Sequence, residues 1–252
     1  MKLTDRLQMI ADGIRAGETM ADIGTDHGFL PIFLAESGIC PHVIMSDISD
    51  GSLTKAETDL RSAQGEGNAE LEGRTELRLG DGLSVLKPGE VDVVVIAGMG
   101  GILMTEILGA DPEKTGSFGR FILQPRNNPG RLRAFLLDRG FRITREQIVR
   151  EHRFLCEIIT AVPPGDVTEP GTRGKVYGLD PVLTAELDYP DALLSVGESL
   201  GTEYLRLRRE KHEQVLAAIR ENARMCADRQ AELEETRIRR IRELEERLVK
   251  ES

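Results

Sequence analysis

The sequence predicts an open, doubly wound α/β sheet followed by a carboxy-terminal helical extension of coiled-coil character. Three observations carry this. Short apolar strands alternate with helical segments from about residue 18 to residue 162, with brief connections between them. Residues 91–96, Val91-Asp92-Val93-Val94-Val95-Ile96, form a nearly continuous apolar run, as a strand buried on both faces of a parallel sheet requires. Beyond Gly201 the chain has no Gly or Pro, and apolar residues recur at three- and four-residue steps among interleaved Lys, Arg and Glu. The expected division is 1–162 for the α/β domain, 163–200 for a linker rich in Gly, Thr and Pro, and 201–252 for the helical tail.

Taken in order, Leu3, Leu7, Ile10 and Ile14 share one face of a first amphipathic helix. Residues 18–23 form a strand that runs into the polar loop Gly24-Thr25-Asp26-His27-Gly28, and Leu30 to Ala35 form the helix after it. A second strand, 42–47, ends on Asp47, and a helix follows over 51–63. Residues 64–73 read as a surface loop. A third strand, 76–79, runs into Gly80-Asp81-Gly82, and the fourth, 91–96, into Ala97-Gly98-Met99-Gly100-Gly101. A fifth strand, 118–123, is closed by Gln124-Pro125-Arg126-Asn127-Asn128-Pro129, and a helix spans 130–139. Two last strands, 142–149 and 154–162, are close enough to pair antiparallel at one edge. In the tail, Leu216, Ile219, Ala223, Cys226 and Leu233 mark a seam that slips phase near Arg237 and resumes at Ile241, Leu244 and Leu248. One long helix and a helical hairpin both satisfy that pattern.

Composition narrows the function. The 252 residues carry a formal net charge of −10, so any polyanion must be held by a local basic patch. No apolar run reaches the length of a membrane span, and the amino terminus has no secretory pattern. Cys40, Cys156 and Cys226 are widely spaced, which suits small buried hydrophobes in a reducing cytoplasm. Neither they nor the four scattered His match a metal-ligand spacing, so no metal is expected.

Four strand ends bring chemistry to one edge of the expected sheet. An open α/β sheet binds ligands outside the carboxyl ends of its strands. Gly24 leaves no side chain between the backbone and a bound molecule. Asp47 ends the second strand, where a carboxylate can take both ribose hydroxyls of a nucleoside. Asp81, after the third strand, can accept from an exocyclic adenine amine, and the glycines from Gly98 open space beside the cofactor. A dinucleotide site would show Gly-x-Gly-x-x-Gly, but Asp26 stands at the second Gly and would repel a diphosphate. The loop suits a cationic or zwitterionic cofactor tail, as in S-adenosylmethionine, and hence methyl transfer over hydride transfer.

The run Asp22-Ile23-Gly24-Thr25-Asp26-His27, Leu30-Pro31, Asp47, Gly80-Asp81-Gly82-Leu83, Ala97-Gly98-Met99-Gly100-Gly101 and Leu123-Gln124-Pro125 resembles the bacterial tRNA (adenine-22-N1)-methyltransferase family. The resemblance covers residues 3 to about 162, and the tail only by character. It implies a Rossmann-like methyltransferase sheet, S-adenosylmethionine as cofactor and tRNA as partner. It implies that Asp22, Gly24, Asp26, His27, Asp47, Asp81 and Gly98 line the cofactor site; Thr25, Ile48, Gly82 and Ala97 beside them complete the expected cofactor set, and Asp26, Gly98 and Met99 are expected at the reacting centre. Phe29 departs from the Tyr common in the family, which keeps a ring but removes a phenol hydroxyl. No Asn-Pro-Pro-Tyr or Asp-Pro-Pro-Tyr run follows the fourth strand, which argues against methylation of the adenine amino group. The same fold acting on another nucleobase or a small molecule, and a silent RNA-binding scaffold, are the competing assignments.

A tRNA needs cationic surface. Residues 120–153 carry nine Arg and no Lys against Asp138, Glu146 and Glu151, a composition suited to phosphate forks. Within it, Arg126, Arg131 and Arg133, together with Phe29, are the expected substrate-binding residues.

Overall fold

The computed structural model describes residues 1–64, 71, 73–164, 184–195, 198–221 and 227–251. Seven strands form one sheet: β1 (Met20–Ile23), β2 (Val43–Asp47), β3 (Thr75–Leu79), β4 (Val93–Met99), β5 (Arg120–Pro125), β6 (Arg142–Glu151) and β7 (Phe154–Val162). Their order is β3-β2-β1-β4-β5-β7-β6. The first five run parallel, β7 lies antiparallel to β5, and β6 closes the edge antiparallel to β7. The expected antiparallel pair is therefore present, with its later strand on the inside.

Period-two alternation explains how the sheet is covered on both faces. Ala21, Ile23, Ile44, Val94, Ile96, Phe121 and Leu123 point to one face, where α4 (Gly101–Gly109) and α6 (Pro129–Asp138) add Met104, Ile107, Leu132 and Leu136. Met20, Val43, Val93, Val95 and Ile122 point to the other, where α1 (Asp5–Ala11) and α2 (Phe29–Glu36) add Ile10, Leu30 and Leu34. Val93 to Ile96 are all fully buried, as their unbroken apolar run requires. Helix α3 (Asp50–Gln64) lies on β2 and β3, and the short α5 (Pro112–Gly116) precedes β5. Cys40 is buried, and burial pushes its thiol up to about 12, which suits an unreactive core residue.

The tail is a hairpin of α7 (Glu198–Glu221) and α8 (Ala227–Glu251). Its cross-pairs Arg209–Glu245, Glu213–Arg242 and Arg220–Glu235 run in opposite directions along the two helices, so they are antiparallel. The expected seam residues Ala223 and Cys226 lie outside the described residues.

Two features go beyond the expected linker and helical tail. Much of 163–200 lies outside the described residues, but 184–195 is folded into 3-10 turns at Glu186–Asp188 and Asp191–Ser195, with Asp188, Tyr189 and Leu193 buried. The hairpin also packs on the β6 edge, where Ile148 joins Tyr189, Leu193, Tyr204, Leu205, Ile241, Leu244 and Leu248 in one apolar cluster. A sequence pattern reports which residues want burial, not against which element, so the sheet edge was not legible as the tail's partner.

Candidate active site

Parallel pairing aligns the strand ends that carry the site. Ile23 stands opposite Ser46 on β2 and Ile96 on β4, and Ala97 opposite Gln124 on β5. The register shifts between Ala97 and Met99, a bulge at Gly98, whose φ is +76°. Bulges re-aim the backbone beside active sites. A Cβ on Gly98 would meet nothing within 4 Å, so this face of the residue looks into open space. Gly24 has φ +78°, and a side chain there would run into the thioether end of Met99.

A cleft of about 400 Å³ opens over these loops, lined by Asp22, Gly24, Thr25, Asp26, His27, Phe29, Ala97 and Gly98. Asp22 is buried at its floor and accepts a hydrogen bond from the Thr25 hydroxyl at 2.8 Å. Burial pushes its carboxyl up to about 6, although the Thr25 bond and the nearby Arg6 charge pull the other way. Asp47 is oriented by two backbone amides: Ser49 N–H donates to Oδ1 at 2.9 Å and Asp26 N–H to Oδ2 at 3.4 Å. Ile48, beside it, is exposed.

Helix α3 steadies the loop from outside. Lys55 Nζ reaches Asp26 Oδ1 at 2.9 Å, and Asp59 Oδ2 lies 2.7 Å from His27 Nδ1. His27 and Phe29 stack with centroids 5.0 Å apart. Asp26 adopts φ +47°, and the Lys55 contact draws its carboxylate to the exposed rim. Lys55 and Asp59 were not singled out from sequence; their four-residue spacing on one helix face was the available signal.

Three further residues join the site through the fold. Thr4, Arg6 and Leu7 of the amino-terminal segment close one wall of the cleft. Arg6 is held by Glu151 Oε2 at 2.5 Å and donates to Gln124 Oε1 at 3.2 Å. Gln124 Oε1 also accepts from Gly98 N–H at 3.1 Å, so a buried amide side chain fixes the bulge. A lone Gln ending the apolar run Phe121-Ile122-Leu123 was its only sequence signal.

Several expected site residues lie elsewhere. Met99 does not line the cleft; its side chain covers Gly24 and packs on the core, because the bulge turns it inward. Asp81 and Gly82 line a neighbouring hollow of about 420 Å³ with Leu103 and Ile107 of α4. Gly80, the residue before Asp81, donates its N–H to the Asp47 carbonyl at 3.0 Å.

Arg133 corrects the expected phosphate grip. It is 1% exposed, with Nε on Glu146 Oε1 at 2.6 Å, Nη2 on Glu157 Oε2 at 2.5 Å and Nη1 on the Leu187 carbonyl at 2.9 Å. Every edge of the guanidinium is used, so it cannot bind RNA. Arg120 is likewise buried, holding Glu18 and the Gly13 carbonyl, and Arg150 pairs with Glu203 of the hairpin. Arg126 is exposed and Arg131 half-buried. Charge density in sequence does not separate an Arg that faces water from one that ties elements together. The lone Glu157 in the apolar strand Phe154–Val162 was the signal that a buried cation partner existed.

Comparison with known proteins agrees with this geometry. Residues 3–159 match a family described as a methyltransferase domain. The tRNA (adenine(22)-N(1))-methyltransferase of Bacillus subtilis (strain 168) is 35% identical over 177 residues, covering 70% of this chain and 69% of that protein. The crystal structure of the B. subtilis m1A22 tRNA methyltransferase TrmK superposes with a TM-score of 0.78 at 28% identity, covering 97% of this chain and 99% of that one. A Streptococcus pneumoniae candidate tRNA (m1A22) methyltransferase, in complex with S-adenosyl-L-methionine, gives 0.76 at 25% identity, covering 97% and 100%. The chain belongs to the tRNA (adenine(22)-N(1))-methyltransferase family.

Proposed function

We propose that this protein transfers a methyl group from S-adenosylmethionine to N1 of adenine 22 in tRNA. The observation that carries the assignment is the cleft between the Gly24–Gly28 loop and the Gly98 bulge, built from the Asp22–His27 and Ala97–Gly101 segments. Its size is right for a small-molecule cofactor, and its chemistry fits this one. Asp22 offers a buried carboxylate to an ammonium, Asp47 an oriented carboxylate to ribose hydroxyls, and Gly24 and Gly98 bare backbone to the sulfonium region. Asp81 and Gly82 extend the site toward the adenine. When bound, S-adenosylmethionine supplies a methyl group already activated for attack.

The protein then has to position and enclose. Adenine N1 carries a neutral lone pair and needs no general base; the product cation can lose its N6 proton to solvent. Gln124 and Arg6 hold the Gly98 backbone, and the His27–Phe29 stack borders the entrance. In-line placement of this kind can be worth roughly 7–11 kcal/mol of barrier. Adenine 22 must leave its stack to reach the cleft, at a cost of a few kcal/mol. No helix among the described residues is long and apolar enough to cross a membrane. A tRNA substrate supports a cytoplasmic location.

Asp22 gives the site a pH dependence whose sign follows from its raised carboxyl. An acid shifted from 3.8 to about 6 is more easily ionised unfolded than folded. The ligand-free protein therefore gains stability as pH falls through about 6, while affinity for a cationic ligand declines over the same interval. Asp22→Asn should raise ligand-free stability above that pH by about 2–3 kcal/mol and weaken cofactor binding, with the pH dependence of both flattened. Thermal melting and calorimetric titration on either side of pH 6 check this. Methyl transfer is tested with cofactor carrying a labelled methyl and two tRNA transcripts, one with adenine and one with guanine at position 22. Label is expected in the first alone; equal labelling moves the target elsewhere.

A further inference from the structure

A further concavity lies between the catalytic sheet and the hairpin. It measures about 180 Å³ and is bounded on one side by Pro125 to Pro129 and on the other by Tyr204, Arg208, Lys211 and His212 of α7. Two carboxylates line it, and both are committed: Asp188 Oδ2 accepts from Arg237 Nε at 2.7 Å, and Glu157 is held by Arg133 and the Tyr204 hydroxyl. Two cations remain, Arg126 and Lys211, beyond Arg208, which is bonded to Tyr204 and electrostatically tied to Glu157. Arg208 lies with its guanidinium carbon 5.0 Å from the centroid of the Tyr204 ring. Arg126 and Lys211 are exposed, and among the described residues neither pairs with a carboxylate. On a chain of net charge −10, this is a local surplus of positive charge in a walled hollow.

Its location gives the surplus a purpose. The loop that supplies Arg126 is bonded to the Gly98–Gly101 segment: Arg126 N–H donates to the Met99 carbonyl at 2.8 Å, and Gly101 N–H to the Asn127 carbonyl at 3.0 Å. A base entering the cleft past Gly98 brings its own sugar-phosphate strand across that loop. We propose that the hollow seats a phosphodiester of the RNA strand flanking the target nucleotide, held by Arg126 from the sheet and Lys211 from the hairpin. The assignment rests on the tRNA substrate proposed above. It gives the hairpin a direct part in binding the substrate strand, since one phosphate is gripped from both the sheet and the hairpin. An Arg fork and a Lys ammonium suit phosphate oxygens, and an acidic peptide has no reason to lie beside the base entrance.

The test uses the full chain with Arg126→Gln and Lys211→Gln combined, both at exposed positions, with thermal melting to verify the fold. Filter binding of a tRNA transcript is measured over a range of salt. Losing the one phosphate contact that both residues make should reduce the slope of log affinity against log salt by about 0.7–0.9 units. KM for tRNA should rise several-fold with kcat largely retained, and S-adenosylmethionine affinity should stay at the parent value. Lys211→Arg should keep the parent slope. An unchanged slope in the double variant, or no tRNA binding by the parent, overturns the phosphate seat. A parent that binds tRNA but leaves adenine 22 unmethylated overturns the assigned reaction instead, and the salt slope then judges the seat by itself.

Discussion

Arg133→Ala is expected to destabilise the protein by about 3–5 kcal/mol, because it leaves Glu146 and Glu157 buried without their cation. That is a large share of the roughly 5–15 kcal/mol that holds a typical domain folded. Arg133 sits where α6, β6, β7 and the Glu186–Asp188 turn meet, and Glu157 passes the connection on to Tyr204 of the hairpin. The loss should therefore loosen the hairpin from the sheet along with the local core. Replacing Arg133, Glu146 and Glu157 together by Met or Leu should recover much of the stability, since a buried ion pair rarely exceeds well-packed apolar groups in net value. Chemical denaturation of the two variants separates the cases. If Arg133 instead served RNA, the single variant would keep the parent midpoint and lose tRNA affinity.

Gly98→Val is expected to lower turnover by about a hundred-fold or more. Its φ of +76° is one that a β-branched residue adopts only under strain, of order 1–3 kcal/mol. The added methyls would project into the open space where cofactor and base must meet. Displacement of reacting atoms by about 1 Å already costs on the order of a hundred-fold. Gly98→Ala should retain more activity than Gly98→Val, with less bulk in the same space. Measuring kcat, KM for tRNA and cofactor affinity separately shows which partner is displaced. Parent-like values for all three would mean that the base enters by another route.

How much of this was legible in the sequence depends on which physical signal each feature left. The strand ends were readable because apolar runs broke sharply into Gly and Asp, and parallel pairing then brought Gly24, Asp47 and Gly98 to one edge. The bulge at Gly98 was not, because a register shift is a property of two strands together. Arg6 looked like an ordinary charged residue on an amphipathic helix until the fold set it against Gln124 and Glu151. The helical pattern of the tail was clear, but the stretch between α7 and α8 carries neither Gly nor Pro, so one helix and two read alike. The arginine-rich stretch misled most: its nine Arg include the phosphate-facing Arg126 proposed here and the fully enclosed Arg133. Only burial distinguishes them.

The central claim is methylation of a ring nitrogen of one adenine. Its most direct measurement is mass spectrometry of nucleosides from a tRNA transcript incubated with the enzyme and S-adenosylmethionine, chromatographed against 1-methyladenosine and N6-methyladenosine standards. The mechanism requires one 1-methyladenosine per transcript, located at position 22 by fragment analysis. N6-methyladenosine under mild, non-rearranging digestion, or a methyl group on any other nucleoside, would contradict it.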